Sequence, residues 1–280
     1  MYEKSIIPVI EAKYYSFTAT EKRIADYFIK HDSVENLTIQ EIADEIFVSQ
    51  ASISRFAKKC GYNGFRDFFY EYLDSVRSSE KKLSADSAKK VFNTYQDILN
   101  RAYSLVDNAL ISRVVDKLNN AKRVIACGIG SSGYVASEME SRFLRVGLDV
   151  DSLTHYDRIR MQGVFIKEGT LVVGFSISGE SESVLYLLEQ AHRRGAKTIL
   201  FTSVDKPSFK RFCDEVVLVA SIKHLDQGNG ISPQFPMLLV LDLIYSEYMN
   251  YDNVLKNAIH EDTLSALKAG KQREENPFFA

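Results

Sequence analysis

The sequence predicts a multidomain protein: an all-α domain first, then an α/β domain with a doubly wound parallel sheet. Three observations predict it. Residues 1–80 show helical periodicity and no alternating strand pattern. From Lys122 onward, short apolar runs alternate with helical patterns, as repeated βα units require. Between them, 75–90 is dominated by Ser and Lys and is poor in apolar residues, the composition of a linker. A chain of 280 residues is long enough for a core in each part. The boundaries are set at 1–77 for the helical domain, 78–106 for a linker and bridging helix, and 107–280 for the α/β domain.

Within the helical domain, Thr18-Ala19-Thr20-Glu21 has the spacing of a capping box, and Ile24, Tyr27 and Phe28 follow at helical spacing. Thr38-Ile39-Gln40-Glu41 is a second capping box, with Ile39, Ile42, Ala43 and Ile46 forming one face. Phe47-Val48 makes a tight turn and Ser49 is a good N-cap for the next helix. There Ile53, Phe56, Ala57 and Cys60 fall at i, i+3, i+4 and i+7, and Gly61 is the stop. Two short helices joined by about three residues form a helix-turn-helix pattern.

Charge has to be read locally. The formal net charge is −2 overall, and residues 1–80 hold 10 Lys and Arg against 13 Asp and Glu, so no basic domain exists. From Ile46 to Arg66, however, there is no acidic residue, while Arg55, Lys58, Lys59 and Arg66 are present. With Ile53 and Cys60 inward, Ala51, Arg55 and Lys58 point outward and Ser52, Ser54 and Lys59 flank them. That face is small, polar and cationic near its N-terminal end, as entry into a DNA major groove requires. A solvated helix face carries the same residue types, so the pattern leaves both readings open. The candidate DNA-binding residues are Ser49, Gln50, Ala51, Ser52, Ser54, Arg55, Lys58 and Lys59.

Past the linker, Val91 to Asn119 is helical, with Ile98, Ala102 and Leu105 on one side and Leu110, Val114 and Leu118 later; it is expected to pack on the sheet or to bridge protomers. Strands are expected at 123–127, 148–152, 170–175, 197–201 and 215–219, with helices between them. A long helix follows from about Pro233 to Asn250, then a polar terminal helix from Ala258 to Glu275 and a tail containing Phe278 and Phe279.

Two strand ends carry the chemistry. Val124-Ile125-Ala126-Cys127 runs into Gly128-Ile129-Gly130-Ser131-Ser132-Gly133, then a helix with Val135, Met139, Phe143 and Val146 at spacings of 4, 4 and 3. A strand, a Gly/Ser turn and a helix N-terminus make an anion site: glycine permits close backbone approach, and the first turn offers unpaired N–H groups at a positive dipole end. A Gly-x-Gly turn by itself also serves as a plain strand-to-helix connection. The second, Leu171-Val172-Val173-Gly174-Phe175, runs into Ser176-Ile177-Ser178-Gly179-Glu180-Ser181-Glu182-Ser183 and a helix with Val184, Leu187, Leu188 and Ala191 on one face. The two turns can converge at the carboxyl edge of one parallel sheet, where such sheets bind ligands. Neither has P-loop spacing. Four serines without a cation suit one phosphate monoester and sugar hydroxyls rather than a triphosphate with magnesium.

Ser-x-Ser-Gly-Glu-Ser, about 45 residues beyond Gly-x-Gly-x-Ser-Gly, resembles the SIS (sugar isomerase) domain over about Asn119 to Tyr248. The resemblance implies phosphosugar binding, with Ser132, Ser176, Ser178 and Ser181 as the phosphate positions. The candidate effector-binding residues are therefore Gly130, Ser131, Ser132, Ser176, Ser178, Gly179, Glu180 and Ser181. Ile177 stands where many SIS enzymes have Gln, and Ser181 where Thr is usual; the loss of a polar 177 weakens a catalytic reading. Residues 1–77 resemble the N-terminal domain of RpiR-type transcriptional regulators through Thr20 to Ala25, Ile42-Ala43 and the run Val48 to Phe65, with Cys60 in place of the usual Leu. Those regulators join this domain to a SIS domain in the order found here.

No apolar run approaches the roughly 20 residues of a membrane helix, and Glu3 and Pro8 interrupt any signal-peptide pattern. Cys60, Cys127 and Cys213 are odd in number and far apart, and the five His have no ligand spacing, so neither a disulfide framework nor a metal site is expected. Glu138, Glu140, Glu180 and His224 are the candidate acid or base groups, but the spacing forces no pair together. The expectation is a cytoplasmic, DNA-binding regulator of carbohydrate metabolism genes. It binds double-stranded operator DNA as a homodimer or homotetramer, under control of a phosphorylated sugar, with no cofactor, metal or catalytic residue. The alternative is a sugar-phosphate aldose–ketose isomerase with an accessory helical domain.

Overall fold

Local side-chain bonds set the boundaries of the first helices. A computed structural model describes residues 6–30, 37–79, 87–222 and 230–274; His224, Phe278 and Phe279 lie outside them. The helical part comprises α1 (Ile7–Lys13), one 3-10 turn (Tyr14–Ser16), α2 (Ala19–Lys30), α3 (Ile39–Glu45), α4 (Gln50–Lys59) and α5 (Phe65–Ser79). Both expected capping boxes form. The Thr18 N–H donates to Glu21 Oε2 at 2.7 Å and the Glu21 N–H to Thr18 Oγ1 at 3.3 Å; Thr38 and Glu41 make the same pair at 2.6 and 3.3 Å. Each satisfies two donors that a helix start leaves orphaned.

Two helix ends are closed by the same double backbone bond. After α4, the Tyr62 N–H reaches the Ala57 carbonyl and the Gly61 N–H that of Lys58, with Gly61 at φ +100°. After α3, the Val48 N–H reaches Ala43 and the Phe47 N–H reaches Asp44, but the left-handed position is Phe47, at φ +52°. A bulky residue is strained there. The Arg23 guanidinium donates to the carbonyls of Ile46 and Phe47 and fixes the turn. Ile24, Ala25, Phe28, Ile42, Ala43, Ile53, Phe56, Ala57, Phe68 and Tyr72 make the core these helices share.

The region 91–119 divides into α6 (Ser87–Leu105) and α7 (Asn108–Asn120). Asp107 is the reason: its side chain accepts the Leu110 N–H at 3.1 Å and starts a new helix. Ile98 and Ala102 of α6 are buried against Ala220, Ile231 and Phe235, and Tyr95 meets the Phe235 ring edge-on at 4.7 Å.

The described residues hold five strands, β1 (Arg123–Gly128), β2 (Val150–Leu153), β3 (Thr170–Phe175), β4 (Lys197–Thr202) and β5 (Glu215–Leu218), all parallel in the order β2-β1-β3-β4-β5. The connecting elements are α8 (Ser131–Leu144), α9 (Tyr156–Gln162), α10 (Glu182–Arg193) and a 3-10 segment (Pro207–Arg211); α11 (Phe235–Tyr251) and α12 (Asn253–Glu274) complete the chain as described. The doubly wound expectation holds. Val124, Ala126, Val173, Phe175, Ile199 and Phe201 face α7, α8 and α11, while Ile125, Cys127, Val172 and Leu200 face α9 and α10. A parallel sheet covered on both faces reads as continuous apolar runs, which is why the strands were legible. Cys60, Cys127 and Cys213 are free and buried, and burial pushes each thiol up to about 12. Among the described residues, no helix is long and apolar enough to cross a membrane.

Candidate functional site

The strand order reverses between β1 and β3, which are neighbours in register, with Gly128 beside Phe175. Strands in a sheet lie about 4.8 Å apart, so the turns that leave these two ends face one another at the carboxyl edge, at the switch point where doubly wound sheets bind ligands.

The first turn is built on close approach. A Cβ on Gly128 would lie 2.4 Å from the Ser132 carbonyl oxygen and 2.6 Å from its carbon. One on Gly133 would lie 3.0 Å from the Gly128 oxygen. The first turn of α8 therefore sits directly on the strand end. Gly130, at φ +58° and ψ −128°, occupies the N-cap in a conformation that glycine alone adopts readily. No side chain caps α8; its Ser132 and Gly133 N–H groups turn back to the Ile129 and Gly130 carbonyls at 3.2 and 2.9 Å, and half-buried Ser131 and buried Ser132 stand at the edge.

The second turn is held internally by its own serines. Buried Ser176 continues the ladder through its N–H to the Phe201 carbonyl, and its hydroxyl donates to Ser181 Oγ at 3.0 Å. The Ser181 N–H returns to Ser176 Oγ at 3.3 Å, and the Glu180 N–H donates to Ser178 Oγ at 3.3 Å. Ser178 is exposed and Gly179 turns at φ +64°. Ser181 is the N-cap of α10, also without a side-chain cap bond. Ile177 is only 7% exposed and belongs to the sheet core: an apolar residue fits there because its side chain is committed inward.

The three acid and base candidates within the described residues each have an ordinary partner. Glu138 lies 3.9 Å from Arg142, Glu140 accepts from Ser152, and Glu180 pairs with Lys206 at 3.1 Å. Lys206 was not legible as part of this region, since nothing within 20 residues of the serine turn in sequence announces it. Thr154 and His155, just past β2, also stand at this edge.

At the other candidate surface, Ala51, Arg55 and Lys58 are exposed along α4, and Ser52 and Ser54 are half-buried beside them. Ser49 caps the helix, accepting the Ser52 N–H at 3.1 Å; Arg55 Nη2 donates to Ser52 Oγ at 3.3 Å, and Gln50 bonds Gln40 of α3. Lys59 folds back instead. Its ammonium donates to the Ser16 carbonyl and to Glu21, each at 2.8 Å, and lies over the Phe17 ring. The arrangement leaves Arg55 and Lys58 as outward cations and uses Lys59 to tie α4 to the start of α2.

Residues 4–79 match the family model of the helix-turn-helix domain, rpiR family, and residues 117–242 match that of the SIS domain. The chain is 26% identical over 277 residues to an uncharacterized HTH-type transcriptional regulator of Haemophilus influenzae, covering 94% of this chain and 96% of that protein. It is 24% identical over 250 residues to the HTH-type transcriptional regulator RpiR of Escherichia coli, covering 86% and 84%. It shares its fold with the NanR protein of Vibrio vulnificus, solved in complex with ManNAc-6P, at a TM-score of 0.58 and 19% identity over 95% of this chain and 99% of that one. It also resembles the sugar isomerase domain of an RpiR transcription factor from Sphaerobacter thermophilus, at a TM-score of 0.56 and 22% identity over 62% and 96%.

Proposed function

The chain belongs to the RpiR-type transcriptional regulators, and from that premise we propose that a phosphorylated sugar seated between its two serine turns sets the affinity of its helical head for operator DNA. The supporting observation is the convergence of two uncapped helix N-termini and two hydroxyl-rich turns on adjacent parallel strands. A phosphate carries about −1.5 to −2 charge at pH 7 and three acceptor oxygens, which such a cradle matches. In this reading Gly130, Ser131, Ser132, Ser176, Ser178, Gly179, Glu180 and Ser181 form the effector site of a domain spanning 107–280. Residues 1–77 read the DNA, and 78–106 connect the two.

The site senses and does not catalyse. Glu138, Glu140 and Glu180 are each engaged by a neighbour, which supports binding without proton transfer. The protein works in the cytoplasm as a homodimer or homotetramer, whose two-fold symmetry suits inverted-repeat half-sites.

Ser178→Ala tests the effector site. One hydrogen bond to a charged acceptor is worth about 1.5–3 kcal/mol, so affinity should fall roughly 10- to 200-fold. Calorimetry with ManNAc-6P as the first probe, and with the unphosphorylated sugar as control, measures it. Operator affinity without effector should not change. Equal affinity for sugar and sugar phosphate, or an undiminished response in the variant, would remove the phosphate assignment; sustained aldose–ketose turnover would favour an isomerase.

The DNA face has its own test. Arg55→Ala and Lys58→Ala should each weaken binding to the DNA flanking the protein's own gene while leaving the melting temperature unchanged. If Lys58 meets a phosphate, its loss reduces the salt dependence by about one counterion. Wild-type binding by both variants across a salt titration would show that α4 is not the recognition helix.

A further inference from the structure

The serine turn after β3 leans on the segment that leaves β4. The Ile177 carbonyl accepts from Thr202 Oγ1 at 3.2 Å, the Ser203 N–H at 2.9 Å and Ser203 Oγ at 2.8 Å. A Cβ on Gly179 would strike Phe209 and Val204 at 2.8 Å. The turn and residues 202–209 therefore move together or not at all.

That same segment holds the N-terminal helices. The Asp205 N–H donates to the Ala12 carbonyl at 2.7 Å, at the end of α1. Beside it, the Lys206 ammonium faces two ways: 3.1 Å from Glu180 Oε1 in the serine turn, and 5.2 Å from the centre of the Tyr15 ring. Helix α1 is part of the helical core through fully buried Ile10 and its N-cap residue Ile6. A second strut reaches it from α6, where Arg101 Nη1 bonds Glu11 at 2.6 Å and the Ser221 carbonyl at 3.3 Å.

We propose that Lys206 transmits effector binding to the helical head: a phosphate on the serine turn takes the Lys206 ammonium from its shared contact with Glu180 and Tyr15 and loosens the seat of α1. This rests on the phosphate reading given above. The side chain of Glu180 is 68% exposed, so its single charge is largely solvated, whereas that of Lys206 is only 22% exposed. A phosphate on the turn brings up to twice the charge and three acceptors, and so competes for the ammonium. What Tyr15 then loses is a cation–π contact, and Asp205 follows because it adjoins Lys206. Effector binding thereby acquires the differential interaction with two states that any ligand-driven change requires.

The test uses the full chain, with inorganic phosphate at millimolar concentration and ManNAc-6P as probes. Calorimetry gives affinity, and amide hydrogen exchange followed by mass spectrometry reads residues 6–17 and 202–209. In the wild type, probe binding should speed exchange at 12–17. Lys206→Met should bind about tenfold more weakly and, even at saturation, leave exchange at 12–17 unchanged; Lys206→Arg should keep the response. Tyr15→Leu should show the faster exchange without any probe while still binding it. Should Lys206→Met respond like the wild type at saturation, or Tyr15→Leu exchange like the wild type without probe, the relay is removed and the site stands. Should neither probe bind the wild type, the site reading goes first, and the relay with it.

Discussion

Phe56→Ala is expected to cost about 3–5 kcal/mol in the helical unit, the range for truncating a fully buried ring. Phe56 is 0% exposed, with the Phe17 ring centred 5.0 Å away and the Phe68 ring 5.7 Å away. Phe68 in turn packs on Phe28 at 4.9 Å. Removing the Phe56 ring leaves a void bordered by Phe17, in the connector before α2, and by Phe68 of α5, which cannot collapse without moving that connector or α5. Against a total stability of about 5–15 kcal/mol, that loss is enough to populate an unfolded head. Thermal melts and amide exchange over 19–30 and 50–59 should both report it, and DNA binding should fall in parallel. The exposed variant Arg55→Ala should show neither change in stability. A Phe56→Ala protein that melts like its parent yet loses DNA binding would mean that Phe56 faces the DNA.

The same face of α4 shows what the sequence conveys and what it leaves out. Periodicity located Ile53, Phe56, Ala57 and Cys60 in the core, and all four are buried, because burial on a helix follows a fixed angular repeat. Periodicity could not show that Lys59 is held by Glu21, since that contact joins residues 38 apart. The break at Val106-Asp107 was hidden for a related reason: Leu105 and Leu110 continue an apolar pattern across it, and the single signal is an Asp that also fits a helix surface. In α12 the helix begins at Asn253, ahead of the polar stretch from which it was read.

In the sheet, the central strands β1 and β3 are apolar on both faces, so their runs stood out, while edge strand β2 carries Asp151 and Ser152 between Val150 and Leu153; only strand ends shifted. β2 starts at Val150 because Gly147 and Leu148 are still spent in closing α8, their N–H groups bonded to Leu144 and Phe143. The serine turns were legible because glycine and hydroxyl patterns at strand ends are local. Lys206 was not, because its relation to Glu180 exists only once β3 and β4 lie side by side.

Gly128→Ala should abolish effector binding with little effect on the head. The added methyl carbon would sit 2.4, 2.6 and 2.9 Å from the Ser132 oxygen, the Ser132 carbon and the Gly133 nitrogen. All three are backbone atoms of the first turn of α8, so no side chain can swing aside. Relief requires α8 to lift from β1 by the better part of an ångström, in a core where overpacking costs about 1–3 kcal/mol. The lift carries Ser131 and Ser132 away from the Ser176–Ser181 turn. Losing two charge-assisted bonds at about 1.5–3 kcal/mol each predicts an affinity loss of roughly 10²- to 10⁴-fold. Gly64→Ala is the matched control: nothing lies within 4 Å of its Cβ position, and it should change neither effector affinity nor, by more than a few tenths of a kcal/mol, stability. Gly130→Ala separates strain from collision. Its Cβ would also meet nothing within 4 Å, but its φ of +58° imposes a backbone cost of about 1–3 kcal/mol. Calorimetry with ManNAc-6P and thermal melts on the three variants distinguish these causes. Wild-type affinity in Gly128→Ala would show that the turn relaxes freely, and that close approach of α8 to β1 is not what forms the cradle.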